Sequence, residues 1–246
     1  MQDKILVHGA LLADLTGPER ARYVREMFSR IAPRYDLMNR LMTLGQDAGW
    51  RREVIRRARL VPGARVLDLG AGTGDLAAEA LRRCPDCFVL AADFTLDMIR
   101  AGRERDDGAG DPLDWSAADA LHLPFPDSSF DAVVSGFLLR NVIDLGQALA
   151  EQRRVLRPGG RVVVLDTTRP PENLLSPFLR FHLDVIIPNL GRLVAGDADA
   201  YRYLPQTTRG FLSAEELAAR LAGAGFQKVG FRRLMFGTVA IHWGTK

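Results

Sequence analysis

The sequence predicts an α/β fold: a doubly wound, mainly parallel seven-stranded sheet, Rossmann-like, with an N-terminal helical cap and an insertion after the fifth strand. Two observations predict it. Short apolar runs alternate with amphipathic stretches of helical spacing, which is the rhythm of βαβ units. One such unit, Val66-Leu67-Asp68-Leu69-Gly70-Ala71-Gly72-Thr73-Gly74-Asp75, reads as a buried strand, a tight turn and the start of a helix. With 246 residues, 47% of them hydrophobic, the chain suffices for one large domain with a full core.

The elements follow in order. Residues 1–18 are irregular and should fray, ending in Thr16-Gly17-Pro18. Residues 19–60 hold two helices outside any βαβ unit. Tyr23, Val24, Met27, Phe28 and Ile31 recur at helical spacing opposite Arg22, Arg25 and Arg30, and Pro33 closes that helix. A second helix runs through Trp50 to Arg59. The pair either caps an active site or braces the sheet. The cofactor-binding core spans 61–166, with strands at 66–69, 88–92, 113–117, 130–136 and 161–166. Helices are expected from Leu76 to Arg83, after Thr95 as N-cap, and from Leu145 to Leu156, where Pro158-Gly159-Gly160 stops the last. Arg105 to Pro112 reads as a surface loop. In 167–210, five prolines punctuate an apolar stretch, which reads as a substrate-side insertion. Residues 211–246 give a helix capped by Ser213 and two closing strands with an antiparallel edge.

The glycine turn sets the ligand class. A dinucleotide site wants G-x-G-x-x-G/A, but Gly70, Gly72 and Gly74 alternate and Asp75 takes the last small position. Asp68 just before the turn would repel a pyrophosphate and welcome an ammonium or sulfonium. S-adenosyl-L-methionine has that charge and a ribose diol needing an acid. Asp93, with Phe94 beside it, ends the next strand about 20 residues on, where such an acid belongs. Asp119 could accept from an adenine amino group while the Ala120 backbone donates to the ring. Leu121 to Asp127 then forms an apolar loop against the purine. The pattern resembles the class I S-adenosylmethionine-dependent methyltransferase motif.

Composition excludes several alternatives. The net charge is +3, and every basic residue except Lys4, Lys228 and Lys246 is arginine. Arg51, Arg52, Arg56, Arg57 and Arg59 form a basic helix face, either solvated or drawn to anionic lipid headgroups. No aromatic residues interleave it, so nucleic acid is not expected. Cys84-Pro85-Asp86-Cys87 lacks a second ligand pair and follows a helix, so it reads as structural rather than as a zinc or redox site. His8, His122, His182 and His242 show no ligand spacing, and no metal is expected. The chain lacks a signal segment and a run of ~20 apolar residues, so the expected location is the cytoplasm, with peripheral attachment to the inner face of a membrane allowed.

Four stretches together resemble one family, the menaquinone and ubiquinone biosynthesis C-methyltransferases. They are Met27 to Ala32 with Arg34-Tyr35-Asp36-Leu37-Met38-Asn39; Leu139-Arg140-Asn141-Val142 with Arg154 to Gly160; Asp197 to Pro205; and Gly237 to His242. The resemblance implies cofactor contacts at Thr73, Asp93, Asp119, Ala120 and Ser135, and methylation of a prenylated hydroquinone ring, foremost demethylmenaquinol. Asp166-Thr167-Thr168-Arg169-Pro170 and Gln46-Asp47 depart from the family pattern on the pocket side, so the acceptor is less fixed than the chemistry. A ubiquinone precursor, another phenol or a sterol is the alternative acceptor, and a non-catalytic cofactor-binding scaffold the alternative class.

Ring methylation needs an aligned attack and a stabilised phenolate. Arg140 is the candidate cation, its other reading being a salt bridge at the sheet edge. Asn141 and His182 join it as catalytic candidates, His182 as a proton acceptor. Tyr35, Asn39, Tyr201 and Tyr203, with Asp36, are candidates for positioning the substrate. The partners expected are a lipophilic quinol, a membrane surface and a second copy in a homodimer.

Overall fold

The structure is a computed structural model that describes residues 17–106, 113–170, 207, 208 and 210–246. The readings of 1–16, most of the 105–112 loop and most of the 167–210 insertion, with His182, Tyr201 and Tyr203, lie outside the described residues.

The cap consists of α1 (Gly17–Ile31), a 3-10 turn (Ala32–Arg34), α2 (Tyr35–Met42) and α3 (Asp47–Ala58). Met27, Ile31, Ala32 and Met38 bury the apolar stripe of the first two helices against Met98, forming a small core of their own. The helix expected from Glu19 therefore starts slightly earlier, and Pro33 ends it in the 3-10 turn. α3 instead packs on the main sheet through Trp50, Val54 and Ile55.

The core continues as β1 (Arg65–Leu69), α4 (Asp75–Arg83), β2 (Phe88–Asp93), α5 (Leu96–Asp106), β3 (Asp114–Ala117), β4 (Phe130–Gly136), α6 (Leu145–Val155) and β5 (Leu156–Thr167). It closes with α7 (Ala214–Gly223), β6 (Gln227–Leu234) and β7 (Val239–Thr245). The seven strands lie in the order β3-β2-β1-β4-β5-β7-β6. Only β7 runs against its neighbours. The antiparallel edge is present, but β7 slips between β5 and β6, so the outermost strand is β6. Ser213 caps α7 with a reciprocal capping box to Glu216, as its sequence promised.

β5 begins at Leu156, earlier than expected, because the backbone at Gly159 and Gly160 bonds to Lys246 instead of turning free. Val66, Leu67, Val133, Val134, Val162, Val163 and Val164 are fully buried. Strands covered on both faces need such unbroken apolar runs. Cys84 and Cys87, buried in the α4–β2 loop, are joined as a disulfide across a Cα separation of 5.3 Å, so they act as a staple rather than as two free small residues. Part of the basic face of α3 is paired with carboxylates. Arg56 and Arg57 engage Glu53, whose carboxyl the Arg56 hydrogen bond holds down at about 2, and Arg51 bridges Asp47 and Asp75.

Candidate active site

The site lies at the carboxyl ends of β1, β2 and β4, the edge where open α/β sheets bind ligands. Gly70 leaves β1 at φ +68°, and a Cβ there would stand 2.8 Å from the Leu138 side chain. The turn is fixed by Gly70 and Ala71 N–H groups donating to the Ala92 carbonyl at 2.8 and 3.0 Å. Gly74 N-caps α4 in the left-handed region, where it brings no side chain to satisfy the helix's first amides. Asp68 supplies one from outside: its Oδ2 accepts from the Ala77 N–H at 2.9 Å. Its Oδ1 is buried with no protein partner. Burial, reinforced by the charges of Asp93 and Asp75, pushes the Asp68 carboxyl up to about 7.

Asp93 closes β2 beside the same turn. Its Oδ2 accepts from Gly72 N–H at 2.8 Å and its Oδ1 from Thr95 N–H at 2.7 Å. Burial raises its pKa, and those backbone donors oppose the rise. Asp93, Phe94, Asp119 and Ala120 all border one cleft of about 890 Å³, open to solvent, together with Gly70 and Gly72. Asp119 folds its chain with Oδ1 accepting from Leu121 N–H at 2.9 Å. Leu121 of the apolar loop also lines the cleft. Ser135 is fully buried next to Gly136, and its Oγ lacks a protein partner. Phe28, Val24, Phe137, Leu138 and Val142 give the remaining wall an apolar character. α1 supplies two of these residues, while α3 packs on the sheet.

The substrate candidates divide. Tyr35 borders the main cleft and a smaller recess that it shares with Asn39, Arg51, Asp68 and Thr73. Burial raises the Tyr35 phenol pKa, and its hydrogen bond with Asn39 opposes this. Asn141 faces the main cleft, its side-chain amide donating to the Phe137 carbonyl at 3.0 Å. Arg140 does not line it. Its guanidinium instead pairs with Asp166 at 2.9 Å, both groups buried, and stacks 5.0 Å over the Phe137 ring. Burial raises the Asp166 pKa, and Arg140 counters it. This is the salt-bridge reading of Arg140, at the end of β5 rather than on the acceptor.

The fold adds residues that pattern reading passed over. Arg105 is no loop residue: it sits in the last turn of α5 and reaches Asp36 at 2.6 Å, Asp75 at 2.8 Å and the Thr73 carbonyl at 2.5 Å. Asp36 also accepts from the Thr73 hydroxyl at 2.6 Å. Thr73 thus anchors the cap to the glycine turn. Trp115 packs beneath that turn, where a Cβ on Gly102 would come within 2.3 Å of its ring. Among the described residues no cluster could hold a metal, and no helix is long and apolar enough to cross a membrane.

The strand order, the glycine turn and the two buried carboxylates beside it define a class I methyltransferase. The match of residues 16–246 to the model of the ubiE/COQ5 methyltransferase family goes further: the chain belongs to that family. It is 49% identical over 223 residues to the ubiquinone/menaquinone biosynthesis C-methyltransferase of Desulfotalea psychrophila, covering 91% of this chain and 90% of that one. The demethylmenaquinone methyltransferase of Thermus thermophilus is 44% identical over 220 residues, 89% of this chain and 100% of that protein. Among solved structures the [4+2]-cyclase SpnF superposes with a TM-score of 0.69 at 18% identity, over 94% of this chain and 97% of that one. That likeness concerns the fold alone.

Proposed function

We propose that this chain transfers the methyl group of S-adenosyl-L-methionine to a ring carbon of a prenylated hydroquinone, converting demethylmenaquinol to menaquinol. One observation carries the reading: a buried carboxylate with a free oxygen, Asp68, stands behind a glycine turn that opens into a largely apolar cleft. An inward negative charge suits a cationic cofactor, and the apolar wall suits a lipid-like ring. The names of the relatives at 49% and 44% identity support the acceptor.

When bound, the cofactor supplies an electrophilic methyl group; the residues of this chain do the rest. Asp68 Oδ1 would accept from its ammonium, and Asp93 would hold its ribose hydroxyls while keeping the Gly72 and Thr95 amides. Asp119, Ala120 and Leu121 border the place for the base; Ser135, buried beside Gly136, keeps a hydroxyl without a protein partner but is not among the residues lining the cleft. Phe28, Phe137 and Leu138 offer an apolar wall for the acceptor ring. Asn141 and Tyr35 are the polar groups at hand to orient the acceptor hydroxyl, the phenol of Tyr35 staying protonated through burial. Arg140 acts as a positioning residue, holding the Leu139–Asn141 turn against Asp166. His182, Tyr201 and Tyr203 remain candidates from the sequence, His182 for the proton.

The test is turnover with methyl-labelled cofactor across reduced demethylmenaquinol, a ubiquinone precursor and a simple phenol. Preference for the first supports the reading. Cofactor binding without turnover on any quinol would replace it with the scaffold.

A further inference from the structure

The cleft and the recess beside it meet at one place. Among the described residues, Tyr35, Gly70, Gly136 and Phe137 border both. The cleft carries Asp93, Asp119 and Ala120 for a nucleoside, and the recess carries Asp68 for an ammonium. A cofactor spanning the two has its sulfonium where they join. Gly70 and Gly136 bring no side chain there, so Tyr35 and Phe137 are the side chains that flank methyl transfer. Phe137 holds its place against its backbone preference. Its φ is +58°, the left-handed region that a bulky residue avoids, and among the described residues no other non-glycine at positive φ borders either space. Its N–H donates to the Leu165 carbonyl at 2.7 Å, and its carbonyl accepts from the Asn141 side-chain amide at 3.0 Å. Those two bonds fix a conformation that glycine would adopt without strain, so the ring itself must repay the cost.

We infer that Phe137 is the platform on which the acceptor ring stacks, and the residue that selects a bicyclic hydroquinone over a monocyclic one; the inference rests on the quinol reading above. The two aromatic side chains at the join divide the work. Tyr35 is braced by Phe28, edge-on at 6.0 Å between centroids, and a Cβ on Gly72 would stand 3.5 Å from its ring. Its phenol, bonded to Asn39, gives it a polar end, whereas Phe137 offers only carbon. A second fused ring on the acceptor adds stacked area on Phe137 and leaves a polar contact to the hydroxyl unchanged. Arg140 suits the platform to an electron-rich ring. It borders neither space, so its guanidinium meets the Phe137 ring from the buried side, 5.0 Å from the centroid. A cation there draws on the electron density of the ring, which favours a hydroquinol stacked on the side toward the cleft.

The full chain, saturated with S-adenosyl-L-methionine, is assayed on demethylmenaquinol and on a monocyclic hydroquinol carrying the same short prenyl chain. Wild type should favour the bicyclic ring in kcat/KM. Phe137→Leu should raise KM for demethylmenaquinol by about tenfold and shrink that preference by about fivefold, with kcat nearly unchanged. Phe137→Tyr should stay within about twofold of wild type on both counts. Phe137→Gly removes the ring and relieves the backbone, so it should lose the preference too, and it replaces the leucine variant if that one fails to fold. Calorimetric titration should give all of these proteins the same affinity for the cofactor, which a merely structural residue would not. A wild type indifferent to the second ring, a preference kept by Phe137→Leu or Phe137→Gly, or a loss shared equally by cofactor and both acceptors would overturn the inference. If wild type methylates neither acceptor, the quinol reading falls. Calorimetry with oxidised demethylmenaquinone then decides the platform: wild type should bind it about tenfold more tightly than Phe137→Leu, and equal affinities would refute it.

Discussion

Replacing Asp68 with Asn probes the electrostatic core of the site. The side chain is 1% exposed, one oxygen is bonded to Ala77 N–H and the other has no protein partner. Its carboxyl is pushed up from 3.8 to about 7, chiefly by burial. If the charged form receives a cationic cofactor, affinity must follow ionisation. A group at about 7 is roughly 3% ionised at pH 5.5 and roughly 75% at pH 7.5, which predicts about a 25-fold gain in affinity, ~1.9 kcal/mol. The Asn variant should stay near the low-pH affinity of wild type and lose most of that slope, Asp93 supplying any remainder. The same shift predicts stability. A folded carboxyl with a raised pKa binds its proton more tightly than the unfolded one, so the cofactor-free protein loses stability as pH rises from about 4 through about 7. Three units correspond to about 4 kcal/mol, which the Asn variant should recover. Calorimetric titration with the cofactor across pH 5.5–7.5 and thermal melts without it across pH 4–7.5 read the two effects. A wild-type affinity that does not change with pH, or an Asn variant with the same slope, would refute the argument.

Three further outcomes follow from the geometry. Asp93→Ala should weaken cofactor binding by about 1.5–3 kcal/mol in the same calorimeter, because it removes a charged acceptor and strands the Gly72 and Thr95 amides. Arg140→Met should destabilise the fold by about 3–5 kcal/mol in urea melts by leaving Asp166 buried and unpaired, and Arg140→Met with Asp166→Leu should restore most of it. A double variant that is stable but has lost kcat, with cofactor affinity unchanged, would assign Arg140 a role at the acceptor. Gly102→Ala should cost about 1–3 kcal/mol by driving a methyl group into Trp115, and Trp115→Phe should relieve part of that cost in the same melts.

Much of the fold was legible because its signals are local. β4 runs from Phe130 to Gly136 as its apolar run indicated, and Asp93, Asp119 and Ala120 gather at one edge, with Asp68 in a smaller recess beside it, because a parallel sheet puts the ends of consecutive strands together. What escaped depends on distant partners. Arg105 looks like part of a polar loop until α5 folds back and sets its guanidinium between Asp36 and Asp75. The place of β7 inside the sheet is decided by its pairing with β5, from Arg161 opposite Thr245 to Thr167 opposite Val239, and no periodicity in β7 itself records that choice. Likewise Arg140 reads the same in sequence whether it faces an acceptor or a buried aspartate; only the end of β5 brings Asp166 to it.

Following the methyl carbon tests ring methylation most directly. With cofactor carrying ¹³C at the methyl group and chemically reduced demethylmenaquinol as acceptor, the product is identified by carbon-13 spectroscopy. The prediction is a single new methyl resonance bonded to a carbon of the quinone ring. Label on a phenolic oxygen, or label remaining entirely on the donor after many enzyme equivalents of time, would contradict it.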